Sequence, residues 1–313
     1  MRPRDRELAE QLSEGLLSFD KKKHPLPGIR VRASFEAFVE QVLESLHRIK
    51  YVSVLRRRNL SNLRAEPASE LFDPLKAAAL HSRQGQVDEA FWLVFLFVHF
   101  GKHKRAGWRL ARDVYGALGS GMRWDWARTS ADPASFRQWL AANVNTLRGD
   151  GIARYFGNHR KYQSLDATSP AGTGATVESY VRWVAPQGTH QLLVQNAQTR
   201  GGNDPRRTFD HLYRSMDAVV SFGRMAKFDY LTMLGKLGLA GIEPGSAYLE
   251  GATGPLRGAR LLLGGSVTAA LSAPTLDGWL VQLGTDLNVG MQVLEDSLCN
   301  WQKTPGKFVP FRG

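Results

Sequence analysis

The chain has 313 residues, of which 43% are hydrophobic, and it contains 8 Trp, 15 Phe and 8 Tyr. This composition is sufficient for a buried core and excludes a wholly disordered chain. The single cysteine, Cys299, excludes an internal disulfide and a cysteine-based zinc cluster. Charges interrupt residues 1–12, and the longest apolar run, 90–98, is shorter than the roughly 20 residues of a membrane-spanning helix. We therefore expect a cytoplasmic protein with no signal peptide and no membrane contact.

The net charge of +12 is concentrated in two segments. Residues 1–64 contain 14 Lys and Arg against 8 Asp and Glu, and residues 101–161 contain 12 against 4, whereas residues 250–313 contain 5 of each. A clustered positive surface is typical of proteins that bind polyanions. We expect double-stranded DNA as the partner, because its phosphates attract such a surface whatever the base sequence. The alternative is a basic surface that only aids solubility.

Hydrophobic spacing predicts an all-α protein. In chain order, helices are predicted over 34–58, 75–81, 87–99, 108–118, 208–220, 225–237 and 287–301. The third of these is apolar almost all round and should be central, whereas residues 177–184 fit either a helix or a strand. Residues 165–176 are rich in Gly, Pro, Ser and Thr, which predicts a linker. The expected organisation is an N-terminal helical lobe over 1–165, with basic aromatic loops, and a C-terminal helical lobe over 166–313, with glycine-rich turns and candidate acids.

Motifs for metals and nucleotides are absent from the sequence. There is no HExxH, no Walker A loop and no GxGxxG after a strand. His99 and His103 lack metal-ligand spacing, and His99 is expected at a helix end. We predict neither a metal nor a cofactor.

Asp229 is the first candidate catalytic group. On a helix its neighbours four residues away are Met225 and Met233, so its carboxylate is expected on an apolar stripe. Desolvation there would raise the pKa of the carboxyl, and nearby Arg224 and Lys227 would oppose that shift. Such a conflict is typical of a tuned acid or base, and also of a structural ion pair.

The last predicted helix contains two further acids. Glu295 shares a face with neutral amides and a thiol, which suits hydrogen bonding to a base edge; the residues of that face are Asn288, Gln292, Glu295, Cys299 and Gln302. The alternative is that Glu295 only accepts hydrogen bonds from a neighbouring loop. Asp296 is expected about 100° further round the helix, toward Asn300 and Lys303.

Basic and aromatic residues alternate in the segment GNHRKYQSL, residues 157–165. Its side chains suit phosphate contacts combined with base stacking; they are His159, Arg160, Lys161 and Tyr162. Trp124 and Trp126, on either side of Asp125, could act in the same way or pack in the core. The glycine-rich turn over 238–245 could bring backbone amides near a phosphate, although helix packing explains its glycines equally well.

Several segments resemble the alpha-glutamyl/putrescinyl thymine pyrophosphorylase family, clade three. They are FWLVFLFVHFGKHKRAGWRLARDVYGALG, GNHRKYQSL, FGRMAKFDYLTMLGKLGL, YLEGATGPLRGARLLLGG and VLEDSLCNWQKTPGKFVPFRG. The resemblance runs from about residue 85 to the C-terminus. It implies membership of the helical DNA glycosylase superfamily, with two helical lobes and a DNA-binding cleft between them. Phage members are implicated in making hypermodified thymines, and a bacterial relative removes glucosylated hydroxymethylcytosine from phage DNA and so blocks infection.

The sequence departs from the superfamily pattern at one point. Superfamily glycosylases usually have a catalytic Asp soon after a helix-hairpin-helix turn. Here the candidate turn is 238–245, and the next Asp is Asp277, more than thirty residues further on. Three other acids therefore stay open as the catalytic group, namely Asp229, Glu295 and Asp296.

Three functions follow from these features. The first is a DNA glycosylase that flips out and excises a modified base, with phage DNA carrying glucosylated hydroxymethylcytosine as the expected substrate. The residues expected to bind DNA or the base are Arg224, Lys227, His159, Arg160, Lys161, Tyr162, Gln292, Asn300, Gln302 and Lys303. The second is a transferase that displaces pyrophosphate from an activated thymine. The third is a DNA-binding protein without catalysis.

Overall fold

The computed structural model describes residues 5–310, and within this range the chain is helical, without a β-strand. The α-helices are α1 (Arg6–Lys22), α2 (Arg32–Val54), α3 (Pro74–Arg83), α4 (Val87–Phe100), α5 (Arg109–Tyr115), α6 (Trp126–Ala131), α7 (Pro133–Gly149), α8 (Thr173–Val184), α9 (His190–Arg200), α10 (Pro205–Ser215), α11 (Arg224–Lys236), α12 (Gly254–Gly264), α13 (Ala273–Asp286) and α14 (Met291–Trp301). The prediction of an all-α fold is confirmed, and 177–184 belongs to a helix. None of the helices in this range is both long and apolar enough to cross a membrane.

Asp-Pro pairs begin three of these helices. In α3, α7 and α10 the Asp is the N-cap, and its carboxylate accepts a hydrogen bond from a backbone N–H of the first turn. The proline that follows has no N–H to leave unpaired and has a fixed φ close to the helical value. These starts are therefore determined locally by the sequence.

The described residues divide into two compact units. The first contains the residues up to Tyr51 and those from Glu243 onward, and the second contains Val52–Ile242. The boundary predicted at 165/166 lies inside the second unit. Residues around it are held in place, since Leu165 and Ala167 are buried and the backbone N–H of Thr173 donates to the carbonyl of Ser164 at 2.8 Å. The DNA-binding cleft stays a prediction.

The second unit is built around α4. Residues 90–96 and 98–100 of this helix are buried, so the prediction that it is central is confirmed. The ring of Phe95 stacks on that of Tyr180 from α8 at 4.0 Å and on that of Phe222 at 5.3 Å. Burial of such aromatic side chains is the main source of stability in this unit.

The first unit packs α1 and the start of α2 with α12, α13 and α14. Phe38 of α2 meets Trp301 of α14 edge to face at 5.1 Å, and both are buried. The predicted start of the last helix at residue 287 is wrong. Leu287 is the C-cap of α13, and Asn288 has a φ of 51°, so α14 begins only at Met291. Asn288 therefore does not lie on the same helix face as Glu295.

Gly258 allows α12 to approach α14 closely, because a Cβ at this position would overlap the carbonyl oxygen of Leu298. We expect Gly258→Ala to lower the free energy of unfolding by about 1–3 kcal/mol through overpacking. The matched control is Gly278→Ala on α13, where no atom lies within 4 Å of the added Cβ. That change should raise stability by up to about 1 kcal/mol, since Ala has less freedom to lose on folding than Gly. Urea denaturation measures the free energy of unfolding of both variants. If Gly258→Ala and Gly278→Ala change it equally, the packing argument is wrong.

Candidate functional site

A charged pair between Arg160 and Asp229 defines the candidate site in the second unit. Asp229 lies on α11 with its side chain 42% exposed, and its Oδ2 accepts a hydrogen bond of 2.9 Å from Nη2 of Arg160. The Arg160 side chain is only 7% exposed, and its Nε donates to the carbonyl oxygen of Val98 at 2.7 Å. The guanidinium thus joins a buried carbonyl near the end of α4 to a carboxylate that reaches solvent.

The expectation that Asp229 is desolvated is wrong. Met225 is 40% exposed and Met233 is half-buried, so the stripe that contains Asp229 faces outward. The opposite face of α11 is the buried one and includes Tyr230, Leu231 and Leu234. An apolar neighbour four residues away does not imply burial, because methionine is also found at surfaces.

Arg160 and Lys227 do not have the phosphate-binding positions predicted for them. Both side chains are buried, and a phosphate contact needs an accessible charge. Nζ of Lys227 bonds to Asp217 and lies 4.2 Å from the centre of the Tyr213 ring. Arg224 remains half-buried, with its guanidinium 4.8 Å from the Phe228 ring. We therefore assign Arg160 to positioning Asp229 and Lys227 to the packing of α11.

A buried chain of hydrogen bonds fixes α11 on its other side. The hydroxyl of Tyr230 lies 2.8 Å from that of Tyr180, which lies 2.7 Å from Nε2 of His190, and Nδ1 of His190 lies 2.7 Å from Oδ1 of Asp88. Burial raises the pKa of Tyr180 and Tyr230 and lowers that of His190. Burial would also raise the pKa of Asp88, but its hydrogen bonds from His190 lower it overall. The carboxylate therefore accepts from Nδ1–H, so the two hydroxyls donate in sequence toward His190.

Two segments beside Arg160 form an exposed basic surface. The N–H of Gly157 donates to the carbonyl of Phe100 at 2.8 Å, and a Cβ on Gly157 would lie 2.8 Å from the carbonyl carbon of Gly101. Segments 101–108 and 157–162 are therefore adjacent. We call their exposed side chains the basic surface; they are Lys102, Lys104, Arg105, His159, Lys161 and Tyr162. Tyr162 is 89% exposed, and Nζ of Lys161 lies 4.9 Å from the centre of its ring.

The tryptophans near residue 125 belong to the core. Trp124 and Trp126 are 3% and 8% exposed, and Asp125 caps α6 by accepting from the backbone N–H of Arg128 at 2.8 Å. Of the two interpretations of this segment, core packing is correct. Base stacking by these two rings would require them to leave the interior.

Asp296 lies in the first unit, with both carboxylate oxygens engaged. Its Oδ2 accepts from the hydroxyl of Ser45 at 2.5 Å and from the guanidinium of Arg48, and its Oδ1 accepts from the amide of Asn300 at 3.0 Å. Nζ of Lys303 donates to Oδ1 of Asn300 at 3.0 Å. The predicted direction of Asp296, toward Asn300 and Lys303, is confirmed, but the carboxylate connects α14 to α2.

Glu295 lies one residue earlier on α14 and is half-buried. Gln292, Cys299 and Gln302 are half-buried as well, and the amide of Gln302 donates to the backbone carbonyl of Cys299 at 3.3 Å. Their roles in catalysis or base binding stay predictions. Within residues 5–310 no group of His, Cys, Asp and Glu side chains is arranged to hold a metal ion.

Comparison with protein families identifies the chain. The family described as alpha-glutamyl/putrescinyl thymine pyrophosphorylase, clade 3, matches residues 33–313. The chain belongs to this family. The resemblance seen in the sequence is thereby confirmed, and it places the protein among enzymes that act on modified bases. No curated protein and no solved structure matched the chain.

This clade 3 member has functional features that sequence reasoning missed. The pairing of Arg160 with Asp229 joins residues 69 positions apart, and no local pattern links them. The segment 101–108 could have been found, because four of its residues, Lys102 to Arg105, are basic or His in succession. Its place beside Arg160, however, depends on the contact between Phe100 and Gly157, which residue spacing does not show.

His99 gives a pH dependence of stability that can be tested. Burial and the nearby Arg160 charge lower its pKa to about 3, and its Nε2 lies 3.0 Å from the hydroxyl oxygen of Thr173. In the unfolded chain a histidine takes up a proton below about pH 6.5, whereas in the folded protein this one stays neutral. Stability should therefore fall as the pH is lowered from about 6.5 to about 3, with His99 contributing about 1.4 kcal/mol per pH unit.

The variant His99→Gln removes this titration but keeps a donor for Thr173. We expect its free energy of unfolding to fall less steeply over the same pH range than that of the wild type. Urea denaturation at several pH values measures both slopes. Identical slopes would show that His99 does not titrate as its burial implies.

Proposed function

We propose that the chain is a DNA glycosylase that excises a modified base from a flipped-out nucleotide. The observation that supports this most directly is the Asp229 carboxylate, which is half-exposed and held by the buried guanidinium of Arg160. Arg160 is the only side chain in the described range bonded to this carboxylate, so Oδ1 can face a substrate. A carboxylate with a fixed position and an open oxygen suits a reaction in which positive charge develops nearby.

The proposed reaction breaks the bond between C1′ of the sugar and the base nitrogen. The bonding electron pair leaves with the base, and positive charge develops on the sugar, as in glycoside hydrolysis. Asp229 would stabilise that charge and accept a proton from the attacking water. The water oxygen then forms the new bond to C1′, and the departing base is protonated by solvent or by the acid so formed. The products are an abasic site and the free base.

The basic surface supports DNA as the substrate. Its lysines and Arg105 lie beside Arg160, and they can neutralise phosphates while the target base turns toward Asp229. A duplex hides the glycosidic bond from any side chain, so the nucleotide must leave the stack, at a cost of a few kcal/mol. A bulky substituent on C5 of cytosine leaves its pairing edge unchanged but lies in the major groove, and a pocket that fits this group offers a means of selection. The expected substrate is phage DNA with glucosylated hydroxymethylcytosine, and the expected role is defence against phage in the cytoplasm.

A transferase is the second candidate, and the family description favours it. In that reaction an amine nitrogen forms a bond to the methylene carbon of an activated thymine, the carbon–oxygen bond to pyrophosphate breaks, and the amine loses a proton. Asp229 would accept this proton, and the basic surface would receive the pyrophosphate. The glycosidic bond stays intact, so the two reactions leave different products.

Asp229→Asn tests the proposed role of the carboxylate. We expect the wild type to release free base and leave abasic sites in phage DNA that contains glucosylated hydroxymethylcytosine. The variant should do so about 10²–10⁴ times more slowly, because the amide cannot accept a proton or balance the developing charge. The control is Asp286→Asn, which also removes a surface carboxylate from an ion pair, with Lys23 at 2.7 Å, and should retain full activity.

The same assay separates the alternatives. Release of pyrophosphate from DNA with activated thymine, without abasic sites, would support the transferase. Binding of DNA with no product from any modified substrate would leave a DNA-binding protein. In either case the glycosylase proposal would be wrong.

Arg160→Lys and Arg160→Met test whether Arg160 acts through Asp229. Lysine keeps the charge but lacks the planar guanidinium that donates to the Val98 carbonyl and the Asp229 carboxylate at the same time. We therefore expect kcat to fall about tenfold or more for Arg160→Lys, and further for Arg160→Met. Because Arg160 is buried, DNA affinity should keep the same salt dependence in both variants. If Arg160 contacted a phosphate, the negative slope of log K, the DNA association constant, against log salt concentration would instead become less steep by about one.

A further inference from the structure

The segment 101–108 is a rigid hairpin. His103 and Gly107 exchange two backbone hydrogen bonds, of 3.0 and 2.9 Å, and Nδ1 of His103 accepts from the N–H groups of Arg105 and Ala106 at 3.3 and 3.1 Å. Gly107 has a φ of +59°, which favours glycine. The tip is therefore held in one conformation before any ligand arrives.

All the charged side chains of this hairpin are positive. Lys102, Lys104 and Arg105 are all exposed, and residues 101–112 contain no Asp or Glu. The next acid, Asp113, bonds to Nε of Arg154 and to Nε of Arg112, the latter at 2.8 Å. The cations at the tip are consequently not neutralised from within the segment.

An exposed aromatic ring lies against the hairpin. Tyr155 is 55% exposed, and its ring centre is 4.9 Å from that of His103. The chain is held before Tyr155, where buried Arg154 bonds to Asp150 at 2.6 Å and Arg109 donates to the carbonyl of Ala153 at 3.3 Å, and after it, where the N–H of Gly157 donates to the carbonyl of Phe100 at 2.8 Å. Tyr155 is thus an anchored aromatic side chain beside three exposed cations.

We propose that the hairpin and Tyr155 bind the DNA strand next to the target nucleotide, with phosphates on Lys102, Lys104 and Arg105 and an unpaired base stacked on Tyr155. Exposed aromatic rings next to cations bind single-stranded nucleic acid in this way. The hairpin begins where α4 ends, and the Val98 carbonyl that holds Arg160 lies three residues before it. Because Arg160 links this end of α4 to Asp229, a strand held there would lie close to the proposed catalytic carboxylate. The inference rests on the proposed function for its substrate but concerns binding alone.

The charges are tested by the double variant Lys104→Gln/Arg105→Gln in an Asp229→Asn background, which prevents turnover. Binding of a fluorescent duplex with a short single-stranded gap is measured as a function of NaCl concentration. The plot of log K, the DNA association constant, against log NaCl concentration has a negative slope, and this slope should become less steep by about 2. The control, Arg182→Gln/Lys307→Gln, also removes two exposed charges and should leave the slope unchanged.

The stacking contact is tested by Tyr155→Leu in the same background. It should weaken binding to the gapped duplex about tenfold, weaken binding to a fully paired duplex much less, and leave the salt slope unchanged. Any one of three results would overturn the inference. The two double variants would show equal slopes, Tyr155→Leu would weaken binding to both DNAs equally, or the Asp229→Asn protein would not bind DNA. Excision assays with the wild type are scored separately. If the variants weaken binding as expected but the wild type excises no base, the hairpin is supported as a DNA-binding site and the glycosylase proposal is wrong. If the wild type excises base but the variants bind DNA as well as their controls, the glycosylase proposal is supported and the hairpin proposal is wrong.

Discussion

The candidate site depends on one buried guanidinium. Arg160 has little access to water, so its charge must be compensated within the protein, and the compensation comes from the Val98 carbonyl and the Asp229 carboxylate. Removing the Asp229 carboxylate would leave the guanidinium with only the Val98 carbonyl to compensate its charge in a poorly solvated position. The arrangement therefore holds the Asp229 carboxylate at a defined position beside the end of α4.

The surroundings of Arg160 follow from that requirement. His99, one residue after Val98, stays neutral because burial disfavours its charged form and a second positive charge beside the guanidinium would be unfavourable, and together these lower its pKa to about 3. Gly101 and Gly157 bring the two segments of the basic surface together where a side chain would separate them. On the opposite face of α11, the hydrogen-bond chain from Tyr230 to Asp88 fixes the helix that carries the carboxylate.

The parts of the structure that could be predicted are those set by local chemistry. The run of apolar residues from 87 fixed the central helix to within one residue of its end, and Met225 to Leu237 differs from α11 by one residue at each end. The start of α14 was misjudged because Asn288 fits a helical spacing although its backbone is left-handed. The exposure of Asp229 and its pairing with Arg160 depend on how distant segments pack. Residue spacing and composition do not predict that packing.

Two of the three candidate acids, Asp229 and Asp296, differ in how their carboxylates are held. Both oxygens of Asp296 accept side-chain hydrogen bonds, Oδ2 from Ser45 and Arg48 and Oδ1 from Asn300, so its carboxylate is engaged at both ends. Asp229 gives Oδ2 to Arg160, and its side chain is 42% exposed. A carboxylate that meets developing charge needs a rigid position as well as an open oxygen, because preorganisation avoids rearrangement during the reaction. In the proposed reaction Asp229 meets these conditions better than Asp296, since one side chain rather than three bonds to its carboxylate.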